Sequence, residues 1–176
     1  GLGDVYKRQQ VTYVAGGAAQ NTARCAQYAL PDGSTAYLGS VGRDDLAQQL
    51  RAANDREGLQ SVYQIVDGTP TGSCAVVITD HNRSLCTNLG AAEKFDKSHL
   101  DSSEAKAAIE AAKFFYIGGF FLTHGVESAL VVAKHAKENN KVRFMILSDS
   151  AICIQPFGAF YSAILQVPGG PGSPVR

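Results

Sequence analysis

The amino-acid sequence predicts an α/β fold, with a parallel sheet core flanked by helices and a small β-sheet insertion. Three observations carry this reading. Extended and helical segments alternate from Val11 to Gly58, three β-rich runs follow with no helix between them from Ser61 to Asn88, and alternation resumes from Ser102 to Leu147. A helix between two strands returns the chain to start a parallel neighbour, whereas strands separated only by turn residues pair antiparallel.

The first β-rich run, Val11 to Ala15, meets Gly16 and Gly17 and passes directly into a helix. Residues 18–30 carry apolar positions at Ala19, Ala23, Ala26 and Leu30, the spacing of an amphipathic helix, and Pro31-Asp-Gly-Ser ends it. Ser34 to Val41 reads as a strand. Gly42-Arg-Asp-Asp then supplies a turn and an N-cap for a helix over 45–57, closed by Gly58. Asp44 and Asp45 are read as caps, because paired acids complement the positive end of the helix dipole. Ser61–Val66, Gly72–Thr79 and Arg83–Asn88 are the β runs, divided by Asp67-Gly-Thr-Pro and Asp80-His-Asn, and they predict a short antiparallel sheet joined by the strand at 11–15. Helices over 102–112 and 127–139 and strands over 114–118 and 142–147 complete the pattern.

Composition narrows the function. At 176 residues and 45% hydrophobic content, the chain can bury one core of ordinary size. Sixteen basic residues balance sixteen acidic ones, so no global field favours nucleic acid or an anionic membrane as partner. The longest apolar stretches, such as Phe114 to Leu122, are too short and glycine-interrupted to cross a bilayer. The expectation is a soluble cytoplasmic protein, with the nucleus as a second compartment. Cys25, Cys74, Cys86 and Cys153 show no metal-ligand spacing, and His81, His99, His124 and His135 are equally scattered, so no metal ligand is assigned. Residues 1–10 lack clean periodicity and 168–176 are rich in Pro and Gly, so both ends are expected to be disordered and foreign to a domain over 11–167.

The glycine corner has its own chemistry. Gly16 and Gly17 let a ligand approach the backbone, the following turn presents free N–H groups, and Asn21, one turn in, offers a donor and an acceptor to a hydroxylated substrate.

Four tracts in order resemble the ribokinase-like (PfkB) sugar and nucleoside kinase family: the corner from Val11 to Arg24, Pro70-Thr-Gly-Ser-Cys-Ala, Asn82-Arg-Ser-Leu-Cys-Thr-Asn-Leu-Gly-Ala-Ala, and Tyr116-Ile-Gly-Gly-Phe-Phe-Leu-Thr. The resemblance runs from about Val11 to about Phe144. It implies a ribokinase-like core with a β lid over 61–89, and transfer of the ATP γ-phosphoryl group to the 5′-hydroxyl of adenosine, with Mg²⁺, giving AMP in purine salvage. By the same resemblance Gly17 and Asn21 approach the ribose, Leu85, Thr87 and Leu89 share the lid face over adenine, Phe120 packs against the base, and Thr71 and Gly72 are lid hinge residues. Ala18 stands where the family commonly has Ser.

The family's catalytic base and anion hole lie in an Asp-Thr-x-Gly-Ala-Gly-Asp segment that this sequence lacks, so no catalytic residue is assigned. The chain is expected to be the N-terminal part of a kinase without its C-terminal half, almost inactive alone, with the ATP and Mg²⁺ segments elsewhere. The complete enzyme is expected to be a monomer, and this chain to self-associate through an exposed lid strand. Two alternatives stand beside it: a kinase of another sugar or nucleoside, and a non-catalytic nucleoside-binding or dimerising module.

Overall fold

The computed structural model describes residues 11–146. Helix α1 (Ala18–Tyr28) is followed by β1 (Ala36–Val41), α2 (Asp45–Arg56), β2 (Gln60–Ile65), β3 (Ser73–Thr79) and β4 (Asn82–Asn88). Two 3₁₀ turns, Gly90–Lys94 and Lys97–Asp101, lead to α3 (Ser103–Ala111), β5 (Phe114–Gly118), a third 3₁₀ turn (Gly119–Thr123), α4 (Val126–Glu138) and β6 (Val142–Ile146). The sequence expectations for residues 1–10 and 147–176 lie outside the described residues.

The helices that follow polar caps start where those caps dictate. The Asp44 carboxylate accepts from the Ala47 amide and the Ser102 hydroxyl from the Ala105 amide, each satisfying a donor that a helix start leaves over. Helix α1 has no such cap. Its N-cap is Gly17, at φ 101° and ψ 128°, with no side-chain bond to the first turn.

Strands β1 and β2 pair in parallel, Ala36 opposite Gln60 through Val41 opposite Ile65, with α2 as the crossover. Strands β5 and β6 also pair in parallel, from Phe114 opposite Val142 to Gly118 opposite Ile146, with α4 between them. Strands β3 and β4 form an antiparallel hairpin, Ser73 opposite Asn88 through Thr79 opposite Asn82. One core gathers Val41, Ala47 and Tyr63 with Tyr37 and Leu50, and a second gathers Leu122 and Ala129 with Ile117, Phe121, Val126 and Leu130.

Helix α1 is the seam between the two parallel pairs. On one side Gln20 Oε1 accepts from the Tyr63 hydroxyl on β2 at 2.5 Å, and that hydroxyl accepts from Asn54 Nδ2 on α2 at 3.0 Å. On the other side Ala19 packs on the end of β5, where a Cβ added to Gly118 would lie 3.7 Å from the Ala19 Cβ. Gln20, Asn54 and Tyr63 are all buried, so this polar bridge is shielded from competing water.

Three expectations change. Val11 to Ala15 is not a strand: Val11, Tyr13 and Val14 are 70%, 70% and 79% exposed, and the segment has no ladder partner among the described residues. The run at 61–66 is β2, and it pairs with β1 and not with the hairpin, because α2 brings it back alongside β1 and buries Val62 and Tyr63. The antiparallel sheet therefore has two strands, not three. Finally, Leu89 does not share the pleat of Leu85 and Thr87, since β4 ends at Asn88 and Leu89 is already helical at φ −70° and ψ −30°.

Replacing Tyr63 with Phe should cost about 1–3 kcal/mol of folding stability, because the buried Gln20 and Asn54 groups lose their shared partner. Denaturant unfolding of the variant beside the unaltered chain measures this, and an unchanged midpoint would show that the seam does not depend on the hydroxyl.

Candidate functional site

The glycine corner sits at the carboxyl end of β5. Ligands of α/β sheets bind beyond the carboxyl ends of parallel strands, so this is the edge to inspect. The uncapped start of α1 presents amides there, and Asn21 is exposed. The Asn21 amide nitrogen donates to the Gly17 carbonyl at 2.8 Å, and its side-chain Oδ1 accepts a long bond of 3.4 Å from Arg24 Nη1. Arg24 fixes the approach to the corner. Its Nη1 donates to the Ala15 carbonyl at 3.2 Å, while Nε and Nη2 form a two-pronged bond with the Glu57 carboxylate, the Nε–Oε2 arm measuring 2.7 Å. That hydrogen bond from Arg24 is the main reason the Glu57 carboxyl lies below its ordinary range.

Beyond Gly118 the chain turns through Gly119–Thr123 and leaves Phe120 half exposed. The Thr123 hydroxyl donates to the Phe120 carbonyl at 2.8 Å, which holds this turn. Phe121, the next ring, packs on the core formed by Leu122 and Ala129.

The hairpin is rooted at the carboxyl end of β1. Asp44 Oδ1 accepts both the Ala47 amide at 3.0 Å and the Thr71 hydroxyl at 2.6 Å, and its Oδ2 accepts the Thr71 amide at 2.7 Å. The Thr71 hydroxyl in turn accepts from the Gly42 amide at 2.9 Å. Thr71 is 4% exposed, so its donors and acceptor are all satisfied inside the protein. The fit leaves no room for a side chain at residue 42, where a Cβ would fall 2.4 Å from the Thr69 carbonyl oxygen. The outgoing leg is tied to the incoming one by the Ala91 amide on the Pro70 carbonyl at 2.8 Å, and Gly90, at φ +46°, passes so close that a Cβ would lie 2.3 Å from the same oxygen.

The predicted residues thus fall into three groups. Gly17 and Asn21 stand at the start of α1, which packs through Ala19 on Gly118 at the end of β5, and Phe120 follows Gly118 by two residues. Thr71, Gly72 and Leu89 meet at the root, where a Cβ on Gly72 would lie 2.7 Å from the Leu89 carbonyl oxygen. Leu85 and Thr87 lie out on the hairpin, opposite Val76 and Cys74, with Leu85 56% exposed and the Thr87 hydroxyl 3.2 Å from Cys74 Sγ. No hydrogen bond or ring contact among the described residues carries Leu85 or Thr87 to the corner. An open cleft of about 360 Å³ lies behind Phe120, lined by Phe95, Lys97, His124 and Glu127 among others, and it includes none of the six predicted nucleoside contacts.

The pfkB family carbohydrate kinase profile matches residues 2–166. The chain belongs to the pfkB family of carbohydrate kinases. The matched range takes in residues 2–10, which the sequence reading set apart. An adenosine kinase of Schizophyllum commune is 51% identical over 164 residues, spanning 93% of this chain and 46% of that protein. Among solved structures, Anopheles gambiae adenosine kinase in complex with P1,P4-di(adenosine-5) tetraphosphate superposes with a TM-score of 0.82 at 36% identity, over 94% of this chain and 50% of that one. Schistosoma mansoni adenosine kinase in complex with adenosine, in an occluded loop conformation, gives 0.83 at 27% identity, over 93% and 48%. The chain therefore has the ribokinase-like α/β fold and spans about half the length of the relatives it matches.

Within this pfkB chain three elements of the site were not foreseen. Asp44 was read as a cap, but its second oxygen and the hairpin root, 27 residues on, form a contact that local sequence does not announce. Arg24 closes the corner tract, yet its partner Glu57 lies 33 residues away. His124, assigned no role, packs beside Phe120. Among the described residues no group of three or more His, Cys, Asp or Glu side chains gathers where it could hold a metal ion.

The root makes stability pH-dependent. Hydrogen bonds from the Thr71 hydroxyl and amide, then from Ala47 and Leu46, hold the Asp44 carboxyl below its ordinary range against the opposing effect of burial. A depressed carboxyl stabilises the fold above its unfolded pKa of about 3.9, and that contribution is lost as pH falls through the folded value. Replacing Asp44 with Ala should cost about 2–4 kcal/mol, adding a lost cap to unsatisfied groups on Thr71. In acid titrations followed by circular dichroism, Asp44→Asn should lose less stability than the unaltered chain as pH falls below about 4. Parallel acid limbs would refute that role.

Proposed function

We propose that this chain carries the nucleoside-acceptor half of an adenosine kinase, which transfers the γ-phosphoryl group of ATP to the 5′-hydroxyl of adenosine and yields AMP and ADP in cytoplasmic purine salvage. One observation supports the reading: the uncapped start of α1 packs through Ala19 on Gly118 at the carboxyl end of β5, two residues before the half-exposed Phe120. The Schistosoma mansoni relative with bound adenosine supports adenosine as the acceptor.

The roles follow from the chemistry of the groups. Gly17 allows close approach of the ribose, the first amides of α1 and the Asn21 side chain bond its hydroxyls, and Phe120 gives the purine a flat apolar surface. Leu85, Thr87 and Leu89 belong to the covering layer and Thr71 and Gly72 to its root. Excluding water matters in such a reaction because water competes with the acceptor hydroxyl for the phosphoryl group. Mg²⁺ supplies charge neutralisation of the phosphates when bound. We assign both its ligands and the catalytic base to the part of the relatives' length that this chain does not span.

A second reading, self-association through the hairpin, is favoured by the exposure of Val76, Val77, Ile78 and Leu85 on both its faces. Sedimentation velocity across a range of concentrations tests it, with a concentration-independent monomer as the result against it.

Calorimetry on the purified chain should give heat on titration with adenosine and weaker or no heat with inosine or ribose. Phe120→Ala should weaken adenosine about tenfold or more, as expected for loss of one base–aromatic contact. In a coupled assay with ATP and Mg²⁺ the chain alone should form AMP at least about a thousandfold more slowly than an enzyme with base and anion hole in place. An enzyme-like rate, or equal affinity for ribose and adenosine, would overturn the proposal.

A further inference from the structure

The outgoing leg of the hairpin is connected to Phe120 by a file of aromatic rings. His99 lies edge-on to Phe95 at 5.7 Å, Phe95 edge-on to Phe121 at 5.7 Å, Phe121 edge-on to His124 at 5.2 Å, and His124 against Phe120 at 6.5 Å. The far end is attached to the sheet, with His99 Nε2 at 3.3 Å from the Val62 carbonyl on β2. The near end is the half-exposed Phe120.

His124 is the junction of this file, and its hydrogen bonds define its chemistry. The Thr123 hydroxyl, which donates to the Phe120 carbonyl at 2.8 Å, also lies 2.9 Å from His124 Nδ1 and so links the imidazole to the backbone of Phe120. On the outgoing leg the Ala92 carbonyl and the Glu93 carboxylate favour the protonated ring, but burial outweighs both and keeps His124 more acidic than an ordinary histidine. Other charges around it line the cleft: Asp96, whose carboxylate accepts the Ser98 amide, and Lys97, paired with Glu127 of α4 at 2.5 Å. The 3₁₀ turn that carries Phe120 contributes no charge of its own.

We infer that His124 is a positioning residue that sets the pitch of Phe120 in a pH-dependent way: the neutral ring packs edge-on against Phe120 and Phe121, and charging the ring alters that packing. Two attachments make the coupling mechanical. His124 touches the Phe120 ring directly and reaches its carbonyl through Thr123, so a shift of the imidazole moves both. The sign follows from the acidity. His124 is neutral at and above the ordinary histidine range near pH 6.5, and it charges only as pH falls below that. Nucleoside binding should thus weaken on the acid side. The consequence for binding rests on Phe120 serving as the base platform, whereas the coupling of the two rings does not.

The test separates these. In the ligand-free chain, carbon–proton NMR of the histidine and phenylalanine rings is followed from pH 8 to pH 5, with Phe120 assigned by comparison with Phe120→Leu. Phe120 ring signals should move with the same midpoint as His124 and stay still in His124→Phe, which keeps a ring but cannot titrate. A Phe120 ring that stays still through the His124 titration overturns the inference, whether or not adenosine binds. In calorimetry the unaltered chain should bind adenosine about two- to tenfold more weakly at pH 5 than at pH 7.5, the range one aromatic contact is worth, and His124→Phe should show a flat profile. Unequal affinity that persists in His124→Phe would assign the effect to another group and overturn the binding part of the inference. Moving ring signals, together with adenosine affinity unaltered in Phe120→Ala, would leave the coupling intact and remove the base-platform reading.

Discussion

A single carboxylate holds the architecture of the site together. Asp44 ends the turn after β1, starts α2 by capping Ala47, and takes both polar groups of Thr71 at the hairpin root. Three pieces of chain with different directions thereby share one anchor. An aspartate suits the task because an ionised carboxylate has acceptor capacity for several donors and no donor of its own to leave unsatisfied. Asparagine in the same place would present an N–H₂ group to donors. The close approach at Gly42 is the geometric side of the same constraint, because Thr71 reaches the anchor only if residue 42 has no Cβ.

Helix α1 plays a corresponding role on the other side of the site. It meets the first parallel pair through a polar bridge, Gln20 to Tyr63, and the second through a small-residue contact, Ala19 to Gly118. Polar bonding fixes its rotation about the axis, since moving Gln20 off Tyr63 would strand buried groups. The small contact sets its distance, since a larger side chain at either position would push the helix off β5. With rotation and distance both fixed, the uncapped amides at Gly17 are delivered to the same edge as Phe120. The corner is thus a product of packing, and the glycines are needed only at its last step.

Sequence reasoning reached what depends on neighbours in the chain. The α1 span was legible from its apolar spacing, the α2 span from Asp and Gly at its ends, and the Gly118–Thr123 tract as a motif. The parallel identity of β2 was not, because Gln60–Ile65 reads equally well as an edge of the hairpin until α2 is seen to carry it back to β1. Leu89 looked like the next alternate position after Thr87, but Gly90 at φ +46° turns the chain one residue too soon for that periodicity to continue. The strand at 11–15 had the right composition, yet composition specifies only a willingness to pair. Arg24 instead takes the Ala15 carbonyl. The ring file from His99 to Phe120 joins two stretches of chain, 95–99 and 120–124, and no local pattern pairs them.

The root geometry also determines where the hairpin can bend. Rotation at Thr71 would break its three hydrogen bonds to Gly42 and Asp44 and expose buried polar groups, each of which is expensive to leave without a partner. Rotation at Gly90 would break the Ala91–Pro70 bond and drive the chain into the Pro70 carbonyl. Past these points, from Ser73 to Asn88, every residue is exposed and the two strands are bonded to each other. Bending between Gly72 and Ser73 on one leg and between Asn88 and Leu89 on the other leaves the anchor bonds intact. The root is therefore fixed by these bonds, and the hairpin beyond it carries its apolar positions Val76, Ile78 and Leu85 on a common face. Thr71 is held from both sides of that root, by the Gly42 amide and by the Asp44 carboxylate.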